Sequence, residues 1–132
     1  FAPFFADVDT GNGAQPATPG GTSTGSNLAW YDLDTTNGVF TATWDDVGFY
    51  DENVSSLNAF QLQLTDRSAD FSNGDFDITF VYEDIGWTLG EASDEDHARA
   101  GWNSGNGTDF EEMGQSGNVP ALTSLDTNPG MI

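Results

Sequence analysis

Two pairs of carboxylates are the residues of this sequence best suited to chemistry. Asp45 and Asp46 directly follow a segment of alternating apolar residues, and Asp7 and Asp9 precede a Gly11-Asn12-Gly13 run. Hard oxygen ligands beside backbone-permissive residues are what Ca²⁺ prefers. The sequence therefore predicts a calcium site whose candidate ligands are Asp7, Asp9, Asp45 and Asp46.

Both pairs also have a purely structural interpretation. Asp7 and Asp9 lack the third acidic position and the distal glutamate of an EF-hand, and an Asx-type turn at the end of a strand would account for them. Asp45 and Asp46 fit a solvated turn, which is the usual place of ionised carboxylates. Calcium binding and these local roles both remain open at this point.

The charge of the chain is extreme and excludes several classes of partner. There are 22 acidic residues against two arginines and no lysine, for a net charge of −20. Nucleic-acid binding and attachment to anionic membranes both need a basic surface. Spread evenly over a folded chain of this mass, the carboxylates would lie about 17 Å apart, beyond the ~8 Å screening length at physiological salt. Closer clusters repel one another unless a cation joins them, although adaptation to high salt is a rival cause of such acidity.

Enzymatic chemistry has little support in the sequence. Cysteine is absent, so thiolate nucleophiles and thiolate metal sites are excluded. His97 is the single histidine, and no serine lies in a nucleophile elbow. A glycosidase-like pair of carboxyls would occur by chance among so many acids. Arg67 and Arg99 are expected to pair with neighbours such as Asp66 or Asp96. The sequence thus predicts a protein that is not an enzyme.

Short strands separated by turn signals must position these residues. Alternation of apolar and polar residues predicts strands at Phe1–Val8, Leu28–Leu33, Phe40–Trp44, Leu57–Thr65, Asp75–Trp87, Ala98–Trp102, Phe110–Met113 and Ala121–Leu125. Only Ser93–Arg99 has the pattern of a helical turn. We therefore expect one all-β domain over residues 1–132, an antiparallel β-sandwich with long loops and at most one short helical turn. The Gly-, Thr-, Ser- and Pro-rich stretch Asp9–Ser26 is predicted to be an exposed, flexible loop within it. No apolar run is long enough to insert into a membrane.

The four tryptophans could either stack on sugar rings or fill the core. Trp44 is in phase with Phe40 and Ala42 on the predicted inward face, so most of the tryptophans are expected to be core residues. A tryptophan that is exposed instead could stack on a sugar ring of a glycan.

Several segments, in their order along the chain, resemble motifs of the nidogen-like (NIDO) extracellular domain family. The matching motifs are PFFADVDT at Pro3–Thr10, FTATWDDVGFY at Phe40–Tyr50, NAFQLQLTDRS at Asn58–Ser68, ITFVYEDIGW at Ile78–Trp87, ARAGWNSGNG at Ala98–Gly107 and TNPG at Thr127–Gly130. The sequence departs from the family in the long Asp9–Ser26 loop. The acidic bias and the lack of cysteine are similar to the bacterial surface and adhesin branch.

The resemblance implies a non-catalytic extracellular adhesion or structural module of a larger secreted or cell-surface protein. The family brings no established enzymatic chemistry. The expected partner is a protein or glycan on a surface or matrix, and Ca²⁺ is the expected cofactor. Two other functions stay open. One is a carbohydrate-binding module that uses an exposed tryptophan and paired aspartates, and the other is an acidic glycoside hydrolase.

Overall fold

The computed structural model describes residues 1–72, 74–90 and 97–127, and its regular structure is almost entirely β-strand. The elements are β1 (Ala2–Phe5), β2 (Val8–Asp9), β3 (Leu28–Asp34), β4 (Val39–Phe49), β5 (Asn53–Asp66), β6 (Phe76–Ile85), β7 (Arg99–Asn103), β8 (Phe110–Glu112) and α1 (Val119–Leu122). All pairings are antiparallel, and the sheets curl into a half-barrel. The all-β antiparallel prediction is confirmed.

Strand β4 is the central strand of the larger sheet. One edge of β4 pairs with β5, and β5 pairs with β6. The other edge pairs first with β3, from Val39 to Asp45, and then with β2 at Gly48 and Phe49. The remaining strands form a small sheet in the order β1-β7-β8. Strand β4 therefore changes partner at Asp46 and Val47, in the middle of the acidic segment.

The two faces of the large sheet differ in polarity, as the alternation predicts. One cross-strand row contains Trp44, Phe60 and Tyr82, which face the core. The neighbouring row, on the opposite face, contains Trp30 and Thr43 followed by Gln61 and Val81. The inner face is thus aromatic and aliphatic, and the outer face carries hydroxyls and amides.

The core is a compact aromatic and aliphatic cluster. It contains Phe4, Val47, Phe60, Ile85, Trp87, Ala98, Leu122 and Leu125. The Phe4 ring centroid lies 5.4 Å from that of Phe60 and 5.5 Å from that of Trp87, the latter pair being edge-to-face. In the edge-to-face pair the positive edge of one ring meets the negative face of the other, which adds to the stabilisation from buried apolar area. Trp44 packs against this cluster and Trp87 belongs to it. Trp30 is 55% exposed and Trp102 lies outside the cluster, so two of the four tryptophans are core residues, fewer than the sequence predicted.

The prediction that Asp45 and Asp46 form a solvated turn is wrong. Strand β4 continues through them to Phe49, with a bulge at which Asp46 has a φ of 52°. Asp45 is 5% exposed and Asp46 is fully buried. Gly48 lets the bulged strand pass close to β5, since a Cβ there would lie 2.5 Å from the Asn53 carbonyl oxygen. The sequence motif therefore encodes a bulge within a strand and not the end of one.

Two further predicted elements differ in the structure. The segment near Ala121–Leu125 is not a strand, because Asn118 caps a single helical turn and Pro120 favours its start. The predicted first strand is divided into β1 and β2, which belong to different sheets. The Ser93–Arg99 turn and the TNPG motif lie mostly outside the described residues.

Leu122 anchors α1 in the core and should be costly to truncate. It is fully buried, whereas Val119 on the same turn is 37% exposed. We expect Leu122→Ala to lower the free energy of unfolding by about 2–5 kcal/mol, because it removes apolar contacts and leaves a cavity. Val119→Ala is the matched control and should change it by less than about 0.5 kcal/mol. Urea denaturation measures both, and equal midpoints for the two variants would contradict this packing.

Candidate binding site

Four carboxylates lie on adjacent positions of β4 and β6, beside irregularities in the sheet. Asp45 and Asp46 occupy the bulge of β4. Glu83 and Asp84 lie on β6, where the register with β5 shifts between Ala59 and Phe60. We call Asp45, Asp46, Glu83 and Asp84 the acid clamp, because all four accept hydrogen bonds from residues 18–26 of the long loop.

The β4 half of the acid clamp accepts hydrogen bonds from residues 24–26 of this loop and from Thr18. Asp45 accepts hydrogen bonds from the Thr24 N–H at 2.7 Å, from the Thr24 hydroxyl and from the Ser26 N–H at 3.1 Å. The buried carboxylate of Asp46 accepts from the Gly25 N–H at 2.8 Å and from the Thr18 hydroxyl at 2.6 Å. A buried carboxylate is costly unless such donors compensate it. The loop supplies them without any cationic side chain.

The β6 half contacts Thr22, Ser23 and the same Thr18. Glu83 accepts from the Thr22 N–H and hydroxyl at 2.8 and 2.6 Å, and from the Ser23 N–H at 2.8 Å. Asp84 lies 3.2 Å from the Thr18 hydroxyl, which also contacts Asp46. A hydroxyl has one proton to donate, so Thr18 can donate to only one of these two carboxylates at a time.

Asn27 completes the attachment of the loop to the sheet. It is fully buried, with a φ of 53°. Its backbone N–H donates to the Asp45 carbonyl at 2.9 Å, and its side-chain oxygen accepts from the Gly48 N–H at 3.1 Å. Its amide nitrogen donates to the Gly13 carbonyl at 3.1 Å. One asparagine therefore replaces strand pairing where β4 changes partner.

The surroundings of Asp45, Glu83 and Asp84 shift the pKa values of these three carboxyls in different directions. Burial raises the pKa of Asp45, but the hydrogen bonds from Ser26 and Thr24 outweigh it and leave the pKa lowered. The pKa of Glu83 is lowered in the same way, since the Thr22 and Ser23 donors outweigh its burial. The pKa of Asp84 is raised, mainly by burial and further by the nearby carboxylates of Asp126, Asp46 and Glu83, against the lowering effect of Thr18.

The other predicted ligands, Asp7 and Asp9, lie near the end of β4. The Asp9 carboxylate accepts from the Gly11 N–H at 2.8 Å, the Asx-type turn considered above, and from the Glu52 N–H at 3.2 Å. The Asp7 carbonyl accepts from the Tyr50 N–H at 3.1 Å. Asp9 of β2 pairs with Gly48 of β4, so Asp9 lies beside the strand that carries Asp45 and Asp46. Among the described residues, no three His, Cys, Asp or Glu side chains are grouped as ligands of one metal ion.

Both arginines form ion pairs, and the partners of Arg67 differ from the predicted Asp66. Arg67 contacts Asp77 at 2.7 Å and Asp70 at 3.4 Å, while Asp66 instead accepts from the Ser68 N–H. Arg99 contacts Glu112 on the neighbouring strand at 2.6 Å. The Arg99–Glu112 pair joins neighbouring strands β7 and β8, whereas Arg67 lies just beyond the end of β5. Asp96 lies outside the described residues.

A cavity of about 350 Å³ opens beside the acid clamp. Its floor is the outer sheet face at Thr43, Gln61 and Val81, and the 22–24 segment of the loop forms one wall. Trp30, which is 55% exposed, lines the cavity from edge strand β3. The carboxylates of Asp45 and Glu83 also line it. The loop, the acid clamp and the one strongly exposed tryptophan thus meet at a single concave site.

Sequence reasoning missed Thr18, Thr24, Asn27 and the role of Glu83. One signal was available. The long loop is rich in hydroxyl and glycine residues, which donate hydrogen bonds, while the strands carry acidic pairs that have too few arginines to pair with. The loop is largely exposed, as predicted, but it is also hydrogen-bonded to the sheet at several points.

Comparison with known proteins identifies the family. The model of the nidogen-like domain matches residues 1–128. The chain belongs to the nidogen-like domain family. It is also similar to alpha-tectorin of mouse and of human, 38% identical in each case over 82 residues, and to that of chicken at 37%. These alignments cover 54% of this nidogen-like domain and only 4% of each alpha-tectorin. No solved structure matches. Within the described residues, no helix has the length and apolar character to cross a membrane.

Replacement of Asp45 should release part of the loop. The Asp45 carboxylate accepts hydrogen bonds from Thr24 and Ser26 with both oxygens. In Asp45→Asn one of these oxygens becomes an NH₂ group, which cannot accept, and the negative charge is lost. We expect a loss of about 1.5–3 kcal/mol in the free energy of unfolding. Hydrogen exchange at the Thr24 and Ser26 amides should accelerate as well. Asp32→Asn, at an exposed position of β3, is the control and should change neither measurement. Unchanged exchange in Asp45→Asn would contradict the clamp.

Replacement of Asp84 should act in the opposite direction. A carboxyl whose folded-state pKa is raised destabilises the fold while it is charged. This cost disappears as the pH falls through the raised pKa toward the ordinary pKa of an aspartate. We therefore expect Asp84→Asn to raise the Tm at pH 7, with an advantage that shrinks as the pH is lowered toward about 4. Thermal melts at several pH values measure this, and a lower Tm at pH 7 would refute it.

Proposed function

We propose that this nidogen-like domain is a non-catalytic extracellular module that serves in adhesion, or as a structural spacer, in a larger secreted or cell-surface protein. The family match over residues 1–128 carries this proposal. The domain corresponds to a small part of the much longer alpha-tectorins, which supports a module within a larger chain. Its bacterial origin is part of the proposal and rests on the acidic bias and the lack of cysteine alone.

The chemistry of the cavity supports a binding role over hydrolysis. A glycoside hydrolase needs one carboxyl with a raised pKa as its general acid. Asp45 and Glu83 are the two carboxylates that line the cavity, and hydrogen bonds from the loop lower the pKa of both. His97 is hydrogen-bonded through its ring to the Thr88 hydroxyl, and this pair does not line the cavity. A binding module fits these groups better than an acid catalyst.

Calcium is the cofactor that we propose for this module. The net charge of −20 favours any cation that binds the folded state, and clustered carboxylates such as those near Asp84 repel one another. Asp7, Asp9, Asp45 and Asp46 remain the proposed ligands. Their carboxylates also accept hydrogen bonds in places, so calcium would have to share these oxygens or bind on their remaining lone pairs.

Carbohydrate binding is the second candidate function. One observation favours it, namely the cavity that joins the exposed Trp30 to a row of hydroxyl and amide groups. A concave site that combines an aromatic side chain with polar groups at fixed positions can bind a small ligand. A glycan on a surface or matrix is then the partner through which adhesion would occur.

Thermal melts with and without calcium test the calcium proposal. At a free calcium concentration 100 times its dissociation constant, the folded state gains about 2.7 kcal/mol, so the Tm in millimolar CaCl₂ should exceed that in EDTA by several degrees. NaCl at matched ionic strength is the control, since adaptation to high salt would give the same increase with either salt. Asp46→Asn should reduce the calcium effect if Asp46 is a ligand. An equal Tm in EDTA and calcium would refute calcium stabilisation.

Attachment of coated beads to surfaces tests the proposed role in adhesion. Beads coated with the domain should attach to at least one surface coated with a matrix protein or glycan. Beads coated with heat-unfolded domain are the control. A lack of attachment across a broad panel would contradict adhesion and favour the spacer role.

A further inference from the structure

We propose that the cavity beside Trp30 binds an uncharged glycan, with Trp30 as the stacking platform and Gln61 and Thr43 as the polar floor. This inference rests on the carbohydrate-binding candidate and assigns it a site and a class of ligand. The cavity, at about 350 Å³, lies in the range of ~300–1,000 Å³ that is usual for small-ligand sites.

Trp30 is both exposed and fixed in orientation. Its side chain is 55% exposed on edge strand β3, where it lines the cavity. Its Nε1–H donates to the Ser26 hydroxyl oxygen at 2.9 Å, and the Ser26 backbone is in turn bonded to Asp45. The ring is thereby held in place before a ligand arrives. The apolar C–H face of a sugar ring can then cover the indole and remove apolar surface from water.

The floor of the cavity offers hydrogen-bonding groups at fixed positions. The Gln61 amide nitrogen donates to the Thr43 hydroxyl oxygen at 3.0 Å, and its amide oxygen accepts from Gln63 at 3.4 Å. These bonds orient the groups and leave one N–H of Gln61 and the hydroxyl proton of Thr43 for a ligand. Adjacent hydroxyls of a sugar, each both donor and acceptor, match such a row.

The charges around the cavity select against anionic sugars. Asp45 and Glu83 are the charged side chains that line it. The chain has only two arginines and no lysine, and both arginines are ion-paired with carboxylates elsewhere. A sialic acid, a uronic acid or a sulfate would meet repulsion with no compensating cation. An uncharged sugar avoids this penalty, and its hydroxyls can donate to the carboxylates.

The acid clamp keeps the loop wall of the cavity in position. Glu83 holds Thr22 and Ser23, and Asp45 holds Thr24. A wall that is already ordered loses less conformational entropy when the ligand binds, which increases the affinity. The buried acids thus act on the site through the loop that they hold.

Isothermal titration of the domain tests this inference with two sets of probes. The neutral set is chitotriose, cellotriose, mannotriose and N-acetyllactosamine, and the anionic set is 3′-sialyllactose and a heparin disaccharide. We expect saturable binding of at least one neutral probe and none of the anionic probes. Trp30→Ala should weaken that binding at least tenfold. Tyr31→Ala is the matched control, because Tyr31 is 80% exposed on the opposite face of the same strand, and it should change the affinity less than twofold.

The outcomes separate the inference from the function on which it rests. Binding that Trp30→Ala leaves unchanged, or that prefers the anionic probes, overturns the assigned site or ligand class while carbohydrate binding stands. No binding to any probe overturns both, and the extracellular-module proposal stands. If Trp30→Ala fails to fold by circular dichroism, Gln61→Ala takes its place and should weaken binding at least fivefold, and an unchanged affinity in that variant overturns the inference.

Discussion

The hydrogen bonds between the acid clamp and the long loop are the constraint on which the rest of this fold depends. Strand β4 must change partner from β3 to β2, and it does so at a bulge that buries Asp46 completely. A buried carboxylate requires either a cation or several donors. The chain has no lysine, and both of its arginines contact carboxylates outside the clamp. Neutral N–H and O–H donors of the loop therefore take the place that ion pairs have in less acidic proteins.

This constraint explains the composition of the loop. The positions that face the carboxylates are threonine, serine and glycine, which bring a donor close without a bulky side chain. Gly25 shows how tight the packing is, since it has a φ of 74° and a Cβ there would lie 2.0 Å from the Gln15 carbonyl oxygen. A stretch whose composition suggests a flexible linker is thus specified by contacts with two distant strands. Those contacts form one wall of the cavity beside Trp30 at the same time.

The sequence predicted the features that depend on local periodicity. The alternation in β5 and β6 gave the strands and their inward faces, and the aromatic motifs gave the family. The features that it missed depend on contacts between distant residues. Asp45 and Asp46 look like a turn in isolation, and only pairing with β5 on one side and β2 beyond the bulge makes them interior to a strand. The capped turn at Val119 has an apolar pattern too short to distinguish a helix from a strand.

Edge strand β3 shows how the extreme charge shapes what this module can bind. Such an edge offers backbone groups and exposed side chains to any approaching chain, and this one also presents Trp30 and Tyr31. A second copy would approach with a net charge of −20 and meet Asp32 and Asp34 on the strand itself, so electrostatic repulsion opposes pairing between copies. A neutral ligand does not experience that repulsion. The same acidity that protects the edge against self-association therefore leaves its tryptophan accessible to uncharged partners.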